Sequence, residues 1–431
     1  MKISVYGLTL NGVVAAVSLA YVGNDVHLVP LPGEHADENW RRTLEDEPGL
    51  LPALNKEQLA GRLQVGAAAH ALLPGQDVHW LAPEPDAHQW LPDWLCAHEL
   101  ADAPLLIVNQ TTAPVGTCEH LQQVLSLDWQ RRGYQQELAV VAMPDFIRQG
   151  AALANFQRPD CILLGVDAQW PQVLMRDILR PFNRNRDTLM VMSSREAEFT
   201  KYVVNGMLAT KLSFMNEMAN LAETLGVDIE RVRQGVGADR RIGPDYIYPG
   251  CGFGGASFSA DIITLAEQVS RSGSHSNLLG SVLNINEQQK EVLFRKLWQH
   301  FNGELQGRRV AIWGAAFKPN TASIRNAPIH VLLKALWAQG CQVAVHDPMA
   351  LESLRAHYGD RPDLCYSSDP YQVTEGADAL MLVTEWKDYW SPDYQRLLQQ
   401  MSTPLILDGR NIYEPQLMQA RGFIYRGIGR G

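Results

Sequence analysis

The chain of 431 residues is 46% hydrophobic and 19% charged, a composition that suits two or three globular domains with buried cores. This composition excludes the disordered, collagen-like and coiled-coil classes. The net charge of −10 comes with no basic run that could neutralise a phosphate backbone, so no nucleic acid partner is expected.

The use of cysteine indicates which cellular compartment suits the protein. Six cysteines are scattered without CxxC pairs or close histidines, which argues against a metal site and against a disulfide framework. A reducing cytoplasm fits this usage best.

The apolar residues up to Tyr21 resemble a signal peptide, but Thr9, Asn11 and two glycines interrupt them. No later stretch has the roughly 20 uninterrupted apolar residues of a membrane span, so no membrane insertion is expected.

The first part of the chain alternates between strand-like and helix-like segments. A strand, a turn, a helix and a second strand are predicted in succession at residues 2–6, 7–12, 13–22 and 25–29. Further strand-like runs end in polar, Gly or Pro residues, at 79–82, 105–108, 138–142 and 161–164. This alternation predicts a parallel sheet covered by helices on both faces, in a first domain over residues 1–193.

Apolar residues recur at helical spacing from Ser194 to about Leu225, with very few helix breakers. The recurring residues are Phe199, Val203, Met207, Leu208, Leu212 and Met215. They predict one long helix that links two halves of the molecule and opens a central domain over residues 194–300.

A second alternating pattern begins at Arg309. Strands are predicted at residues 310–313, 342–345, 379–384 and 405–407, with a helix over 327–339. The last third, residues 301–431, is therefore predicted to be another doubly wound domain. The expected fold class is α/β, with two Rossmann-like doubly wound domains joined by the long helix and a helical region.

Residues 7–12 (GLTLNG) match the dinucleotide fingerprint GxGxxG, except that Thr9 stands at the middle glycine. Gly7 can still form the tight turn and Gly12 can still allow close helix packing, but the middle glycine normally lets the backbone approach a pyrophosphate. The second strand runs into Pro30 without the acidic residue that holds the ribose hydroxyls. These changes favour a sheet kept as a scaffold over the alternative of retained NAD binding.

Residues 240–261 read RRIGPDYIYPGCGFGGASFSAD. This segment closely resembles the active-site loop of the UDP-glucose/GDP-mannose dehydrogenase family, RIGxxYxxPGxGFGGSCFPKD. Other family motifs follow in the family's order, at residues 112–117, 144–150, 201 with 205, 317–321 and 408–411. The resemblance covers nearly the whole chain and implies NAD as cofactor, a helical dimerisation region, and a nucleotide sugar, UDP-glucose or UDP-glucuronate, as ligand.

Family enzymes oxidise the C6 alcohol of the sugar to a carboxylate, and a loop cysteine captures the intermediate aldehyde. By resemblance, that cysteine position is Ser257 here. A serine hydroxyl is a weak nucleophile without an adjacent base, whereas a thiol is partly ionised at neutral pH. Cys251, six residues earlier, is expected to be a packed cysteine and not a substitute. The proline and lysine that follow the family cysteine are Ser259 and Ala260.

Other catalytic positions of the family have changed as well. The second glutamate of the 144–150 motif is Gln149, and the first is the shorter Asp145. An amide cannot exchange a proton as a carboxylate can, and a lost charge cannot steady an oxyanion. Thr112 belongs to the same catalytic set by resemblance. Asp261 is retained, and in the absence of a thiol it is expected to cap a helix over residues 262–270.

The residues expected to hold the nucleotide sugar are retained. By resemblance, Lys201 and Asn205 contact the sugar and take part in catalysis, and their spacing of four places them on one helix face. Arg241 is expected to reach a neighbouring subunit's site, and Lys318 to meet the substrate. The remaining assignments are Tyr246, Gly250, Phe253 and Gly254 around the nucleotide and Arg325 at the cofactor. Without their motifs, such polar residues would be interpreted as solvated surface.

Together these features predict a catalytically impaired family member that still binds a nucleotide sugar. It would serve as a sensor, a scaffold or a subunit partner in the supply of polysaccharide precursors. Two alternatives remain open. One is an active NAD-dependent oxidoreductase, and the other is a structural partner that forms a homodimer or a mixed dimer with an active paralogue.

Overall fold

A computed structural model describes residues 1–67, 72–97, 104–184, 186–271, 273 and 277–430. The chain divides into two compact units, Met1–Val203 and Val204–Gly431. The predicted division into three domains, at residues 1–193, 194–300 and 301–431, stays a prediction beside this two-unit division.

The first unit is built on an eight-stranded sheet with the order β3-β2-β1-β4-β5-β6-β7-β8. Its strands are β1 Lys2–Tyr6, β2 Asp25–Val29, β3 Leu63–Val65, β4 Val78–Leu81, β5 Leu105–Asn109, β6 Leu138–Ala142, β7 Ile162–Gly165 and β8 Leu189–Met192. Neighbouring strands of the described chain are parallel, except that β6 and β7 meet antiparallel through Ala142 and Gly165. The strand order reverses at β1, which creates a crevice at the carboxyl ends of the strands.

Helices cover both faces of this sheet, as predicted. They are α1 Leu10–Tyr21, α2 Glu38–Thr43, α3 Leu50–Leu59, α4 Leu91–Cys96, α5 Thr117–Arg131, α6 Ala152–Gln157 and α7 Gln169–Leu179, with 3-10 turns at Pro85–Gln89 and Arg180–Asn183. Successive strand residues point to opposite faces, so Val5 packs in one apolar core and Tyr6 in the other. The helix α1 is almost entirely buried, which suits its small apolar side chains.

The predicted long helix is confirmed as α8, which runs over 32 residues, Ser194–Leu225. It is followed in the second unit by α9 Ile229–Ala238, α10 Ala256–Arg271, α11 Leu278–Lys290 and α12 Val292–His300. Among the residues that the structure describes, no helix combines the length and the apolar character that crossing a bilayer requires.

A six-stranded parallel sheet forms the rest of the second unit, in the order β11-β10-β9-β12-β13-β14. Its strands are β9 Arg309–Trp313, β10 Gln342–His346, β11 Leu364–Tyr366, β12 Ala379–Leu382, β13 Leu405–Asp408 and β14 Ile424–Arg426. The helices are α13 Pro328–Ala338, α14 Leu351–Tyr358, α15 Tyr394–Gln400 and α16 Pro415–Ala420, with 3-10 turns at Gln372–Thr374 and Lys387–Tyr389. The predicted second doubly wound pattern is confirmed.

Candidate functional site

The turn after β1 keeps the glycine geometry of a dinucleotide-binding loop. Gly7 has a φ of 116°, and a Cβ there would lie 2.4 Å from the Ala82 carbonyl oxygen, so only glycine fits. A Cβ at Gly12 would lie 2.2 Å from the Gly7 carbonyl oxygen. Thr9 is the N-cap of α1, and its hydroxyl accepts from the Gly12 N–H at 3.1 Å and donates to the Ala82 carbonyl at 2.7 Å. Its hydroxyl is therefore engaged inside the turn.

The first residues of α1 leave amide groups open to an anion. Within the described part of the chain, the N–H groups of Leu10 and Asn11 have no hydrogen-bond partner. A helix N-terminus presents such groups, together with the positive end of its dipole, to phosphate oxygens. The turn therefore fits the pyrophosphate of a dinucleotide such as NAD despite Thr9.

Glu34 supplies a carboxylate beside this turn, which the sequence analysis missed. Its Oε2 accepts hydrogen bonds from the N–H groups of Leu8 and Leu31, each at 2.8 Å. A working NAD site was expected to need its acidic residue at the end of β2, where buried Pro30 stands instead. The signal was present in the following Pro-Gly pair, because Gly33 has a φ of 89° and the chain turns back within four residues.

Asp145 and Lys201 come together in the first unit. The Asp145 carboxylate accepts from the Asn11 side-chain amide at 2.8 Å and from the Ile147 N–H at 3.0 Å. Lys201 Nζ donates to the Asp145 carbonyl oxygen and lies 4.9 Å from the centroid of the Phe146 ring. Lys201 is only 8% exposed, so the alternative of a solvated surface lysine is wrong for it.

Gln149 and Thr112 lie outside this hydrogen-bonded group. Both side chains are half-buried, and within the described chain neither bonds to Asp145 or Lys201. The structure therefore does not assign them a catalytic contact, and their roles stay predictions.

Two buried glutamates accept backbone hydrogen bonds from the motifs in which Gln149 and Thr112 lie. Glu47 accepts from the N–H groups of Gly150 and Ala152, at 2.6 and 2.7 Å, and so fixes the end of the 144–150 motif at the start of α6. Glu198 accepts from Gly116 and Cys118, at 2.6 and 2.9 Å, at the start of α5. Burial raises the pKa of the Glu198 carboxyl. Neither glutamate lies in a motif, so sequence reasoning missed both.

Asn205 and Asp261 form a buried pair in the second unit. The Asn205 side-chain amide donates to Asp261 Oδ2 at 2.7 Å, and the two residues are 8% and 6% exposed. The prediction that Asp261 caps a helix over residues 262–270 is wrong, because α10 begins at Ala256 and Asp261 lies inside it. Gly255, with a φ of 96°, lets the loop end and the helix begin six residues earlier.

Ser257 lies exposed in the first turn of α10. Its hydroxyl forms no hydrogen bond with any other described residue, so no base activates it there. Ala260 is also exposed, whereas Ser259 is 5% exposed and faces inward. Cys251 is fully buried, burial raises the pKa of its thiol, and its predicted role as a packed cysteine is confirmed.

Side-chain amides from α8 and α11 fix the glycine-rich loop. Asn216 accepts from the Gly250 N–H and Gln289 donates to the Gly250 carbonyl, both at 2.8 Å. Asn286 accepts from the Phe253 N–H at 2.8 Å and donates to the Phe253 carbonyl at 3.1 Å. The loop backbone is thus held in place at two of its four predicted nucleotide contacts.

The same loop packs against the segment that follows β9. A Cβ at Gly254 would lie 2.6 Å from the Asn326 carbonyl oxygen, and the Gly255 N–H donates to the Arg325 carbonyl at 2.8 Å. The Arg325 side chain is exposed, so its predicted cofactor contact is sterically open. Lys318 is half-buried, with Nζ 5.5 Å from the centroid of the Phe317 ring.

Arg410 adds a cation that our sequence-based set of site residues omitted, although it lies in the 408–411 motif. Its Nε donates to the Val383 carbonyl at 2.7 Å and pairs with Glu385 at 3.0 Å. Its Nη2 is buried without a hydrogen-bond partner in the described chain, and Nη1 lies 3.0 Å from where a Cβ of Gly250 would be. A guanidinium nitrogen without a partner beside this loop suits an anionic ligand oxygen.

Arg241 and Tyr246 occupy the outer part of the loop. The Arg241 side chain is 87% exposed and pairs with Asp239 at 2.6 Å, so its predicted reach to a neighbouring subunit stays a prediction. Tyr246 has a φ of 58°, a left-handed conformation that a bulky residue rarely adopts and that often marks a functional loop. In the described chain, no three His, Cys, Asp or Glu side chains are grouped to hold a metal ion.

Three models of one family match the chain in succession. The NAD binding domain of the UDP-glucose/GDP-mannose dehydrogenase family matches residues 1–183. The central domain of that family matches residues 195–288, and its UDP binding domain matches residues 311–415.

Individual proteins match over the whole chain. A UDP-glucose 6-dehydrogenase of Pseudomonas aeruginosa is 41% identical over 100% of this chain and 98% of its own length. A UDP-glucose 6-dehydrogenase of Rhizobium meliloti is 31% identical, with 100% of both chains covered. The solved structure of a UDP-glucose dehydrogenase from the archaeon Pyrobaculum islandicum superposes with a TM-score of 0.85 and 30% identity, covering 100% of this chain and 98% of that one. The chain therefore belongs to the UDP-glucose/GDP-mannose dehydrogenase family.

Proposed function

We propose that this chain binds a UDP-sugar, UDP-glucose or UDP-glucuronate, but does not complete the oxidation of the sugar to the acid. Ser257 carries this proposal, because an exposed serine without an adjacent base stands at the position of the family's nucleophilic cysteine. Support for retained sugar-nucleotide binding comes from the fixed loop at Gly250 and Phe253 and from the Nη2 of Arg410, which has no hydrogen-bond partner in the described chain.

The biological role that follows is a sensor or scaffold in the supply of polysaccharide precursors. A protein that binds the substrate or product of the family without consuming it reports on the concentration of that nucleotide sugar. We place this role in the cytoplasm, in line with cysteines that remain free in the described chain.

Loss of Lys318 is expected to weaken the binding of UDP-glucose by about tenfold or more, because a charged hydrogen bond to phosphate contributes about 1.5–3 kcal/mol. Isothermal titration of the full chain with UDP-glucose, UDP-glucuronate and GDP-mannose measures this. Lys318→Ala is compared with Lys387→Ala, a control at an exposed position. If the unchanged chain binds none of the three sugar nucleotides, the sensor proposal fails.

A second candidate function is an oxidoreductase that stops at the aldehyde. It is favoured by the buried pair of Asn205 and Asp261 and by the buried Lys201, since the first oxidation needs no covalent capture. NAD, when bound, would accept the hydride from the C6 carbon. NADH absorbance with UDP-glucose discriminates the candidates, and turnover that Lys201→Ala abolishes would replace the sensor proposal with this one.

The exposed face of α8 supports a third proposal, that of a dimer with a second copy or with an active paralogue. Met207, Phe214, Leu221 and Leu225 are 61%, 54%, 48% and 65% exposed. Their spacing places them on one face of the helix. They form an apolar stripe that is exposed to solvent in the single chain.

Replacing Phe214 by glutamate is expected to convert a dimer into a monomer, because a charge would have to be buried against an apolar partner. Sedimentation velocity of the full chain measures the change. Gln419→Glu adds the same charge at an exposed position of α16 and is expected to leave the dimer intact. A monomeric unchanged chain that also fails to co-purify with an active dehydrogenase would contradict the dimer proposal.

A further inference from the structure

Residues 245–248 lie in a part of the glycine-rich loop whose backbone forms no hydrogen bond to other backbone groups in the described chain. The loop is fixed on either side of them, because the Gly243 N–H donates to the Asp239 carbonyl at 2.9 Å and the Gly250 N–H donates to a side-chain oxygen of α8 at 2.8 Å. Tyr246 also has a φ of 58°, and a bulky residue keeps this conformation only where its surroundings impose it. Side-chain contacts must therefore hold this part of the loop.

The helix α9 packs closely against this segment. A Cβ at Gly237 would lie 3.1 Å from Ile247 Cδ1 and 3.3 Å from Pro244 Cα, so the contact leaves little room for a larger residue. Ile247 is 2% exposed and belongs to the apolar core of the second unit. Tyr248, the next residue, is 59% exposed, so burial in the core does not fix its ring.

Arg233 of α9 covers one face of the Tyr248 ring. Its guanidinium carbon lies 4.0 Å from the centroid of that ring, which is the geometry of a cation–π contact. Its Nε donates to Glu230 Oε1, one helical turn earlier, at 2.6 Å. The Arg233 side chain is only 13% exposed, so the carboxylate and the ring together fix where its guanidinium lies.

We propose that Arg233 is a positioning residue for the bound nucleotide sugar, because its contact with Tyr248 holds residues 245–248 in the observed conformation before the ligand arrives. Tyr246 and Gly250, two of the predicted nucleotide contacts, lie two residues before and two residues after Tyr248. A segment that is ordered in advance loses less conformational entropy on binding, so the ligand binds more tightly. This role of Arg233 rests on the proposed binding of a UDP-sugar by the loop, and it needs no contact between Arg233 and the ligand.

Isothermal titration of the full chain with UDP-glucose tests this role. Arg233→Gln keeps a polar side chain beside Glu230 but cannot form the cation–π contact, so it is expected to weaken binding by about three- to tenfold. Arg233→Lys keeps the charge without the planar stacking group and is expected to recover part of this loss. Arg231→Gln removes an exposed arginine from the same helix, so it is the matched control and should bind like the unchanged chain.

A double-mutant cycle shows whether Arg233 acts through the Tyr248 ring. Tyr248→Phe keeps the ring, so Arg233→Gln should weaken binding about as much with phenylalanine as with tyrosine at this position. Tyr248→Leu removes the ring, so Arg233→Gln should then weaken binding further by less than about twofold. A general loss of structure in α9 would instead weaken binding by the same factor in all three backgrounds, and that result would overturn the proposal.

Chymotrypsin measures the order of the loop without any ligand, because it cleaves after Tyr246 when the segment opens, whereas Pro249 blocks cleavage after Tyr248. Arg233→Gln is expected to speed this cleavage by about threefold or more, and Arg231→Gln to leave its rate unchanged. An unchanged chain that binds no UDP-sugar contradicts the proposed function, and the cleavage rates alone then decide whether Arg233 orders the loop.

A UDP-glucose affinity of Arg233→Gln equal to that of Arg231→Gln would overturn the proposal, while binding by the unchanged chain would still support the proposed function. If Arg233→Gln does not fold, Tyr248→Leu removes the same contact without changing α9 and is expected to weaken binding by about three- to tenfold. Equal affinity of Tyr248→Leu and the unchanged chain would also overturn it.

Discussion

The triple replacement Ser257→Cys, Gln149→Glu and Ala260→Lys is expected to raise the steady-state rate of NADH formation from UDP-glucose by about 10²-fold or more, whereas the steady-state rate of Ser257→Cys alone stays at the level of the unchanged chain. A cysteine at position 257 would lie in the first turn of α10, where the helix N-terminus lowers the pKa of a thiol. The nucleophile by itself would therefore be reactive.

In Ser257→Cys alone, the step that limits turnover comes after the nucleophile has attacked. Hydrolysis of a thioester needs a group that takes a proton from water, and a general base typically contributes 10²- to 10⁴-fold. Gln149 cannot take this proton, and Ala260 cannot supply the charge of the family lysine. Because Gln149 is half-buried and Ala260 is exposed, the added side chains have room without repacking of the core.

The measurement is the amount of NADH formed for each UDP-glucose consumed. Complete oxidation gives two hydride transfers for each sugar, while an enzyme that stops at the aldehyde gives one. Ser257→Ala is the control, since it removes the hydroxyl and is expected to match the unchanged chain. Repeated turnover by Ser257→Cys alone, with more NADH than a single thioester at each site accounts for, would refute this account, because it would mean that only the nucleophile is missing.

Elements with a clear periodicity were predictable from the sequence. The strand at Lys2–Tyr6 and the helix at Ser194–Leu225 were predicted at their observed bounds, because β-branched alternation and helical spacing are local signals. The short strands Leu63–Val65 and Leu189–Met192 were missed, since three or four residues carry too little pattern.

The candidate site was predictable only where a motif marks it. Ser257, Asp261 and Lys201 were found through family motifs, but the burial of the last two was not evident from their polar character. Glu198 meets Gly116 across 82 residues of sequence and Glu47 meets Gly150 across 103. Such partners are brought together by tertiary structure, so no local sequence pattern reveals them.

Replacing Asp347 by alanine is expected to destabilise the second unit by roughly 3–5 kcal/mol, because several backbone donors would lose one shared acceptor. Asp347 follows β10 and is 2% exposed. Its Oδ2 accepts from the N–H groups of Ala315 and Ala316, at 2.7 and 3.0 Å, and its Oδ1 accepts from Met349 and Ala350, at 2.9 and 2.8 Å.

The Asp347 carboxylate also accepts from the segment that follows β12. The indole N–H of Trp386, after β12, donates to Oδ2 at 3.1 Å. The turn at Ala315 and Ala316 leads directly to Lys318, so the same carboxylate positions a residue expected to bind the nucleotide sugar. We therefore expect Asp347→Ala to weaken UDP-glucose binding as well as stability.

Thermal unfolding of the full chain measures the effect on stability, with an expected fall on the order of 10 °C in the transition of the second unit. Asp360→Ala is the matched control, since the Asp360 side chain is 93% exposed and its ion pair with Arg355 is long, at 3.8 Å. If Asp347→Ala unfolds at the temperature of the control, water satisfies the freed N–H groups. The carboxylate would then not be what fixes the turn before Lys318.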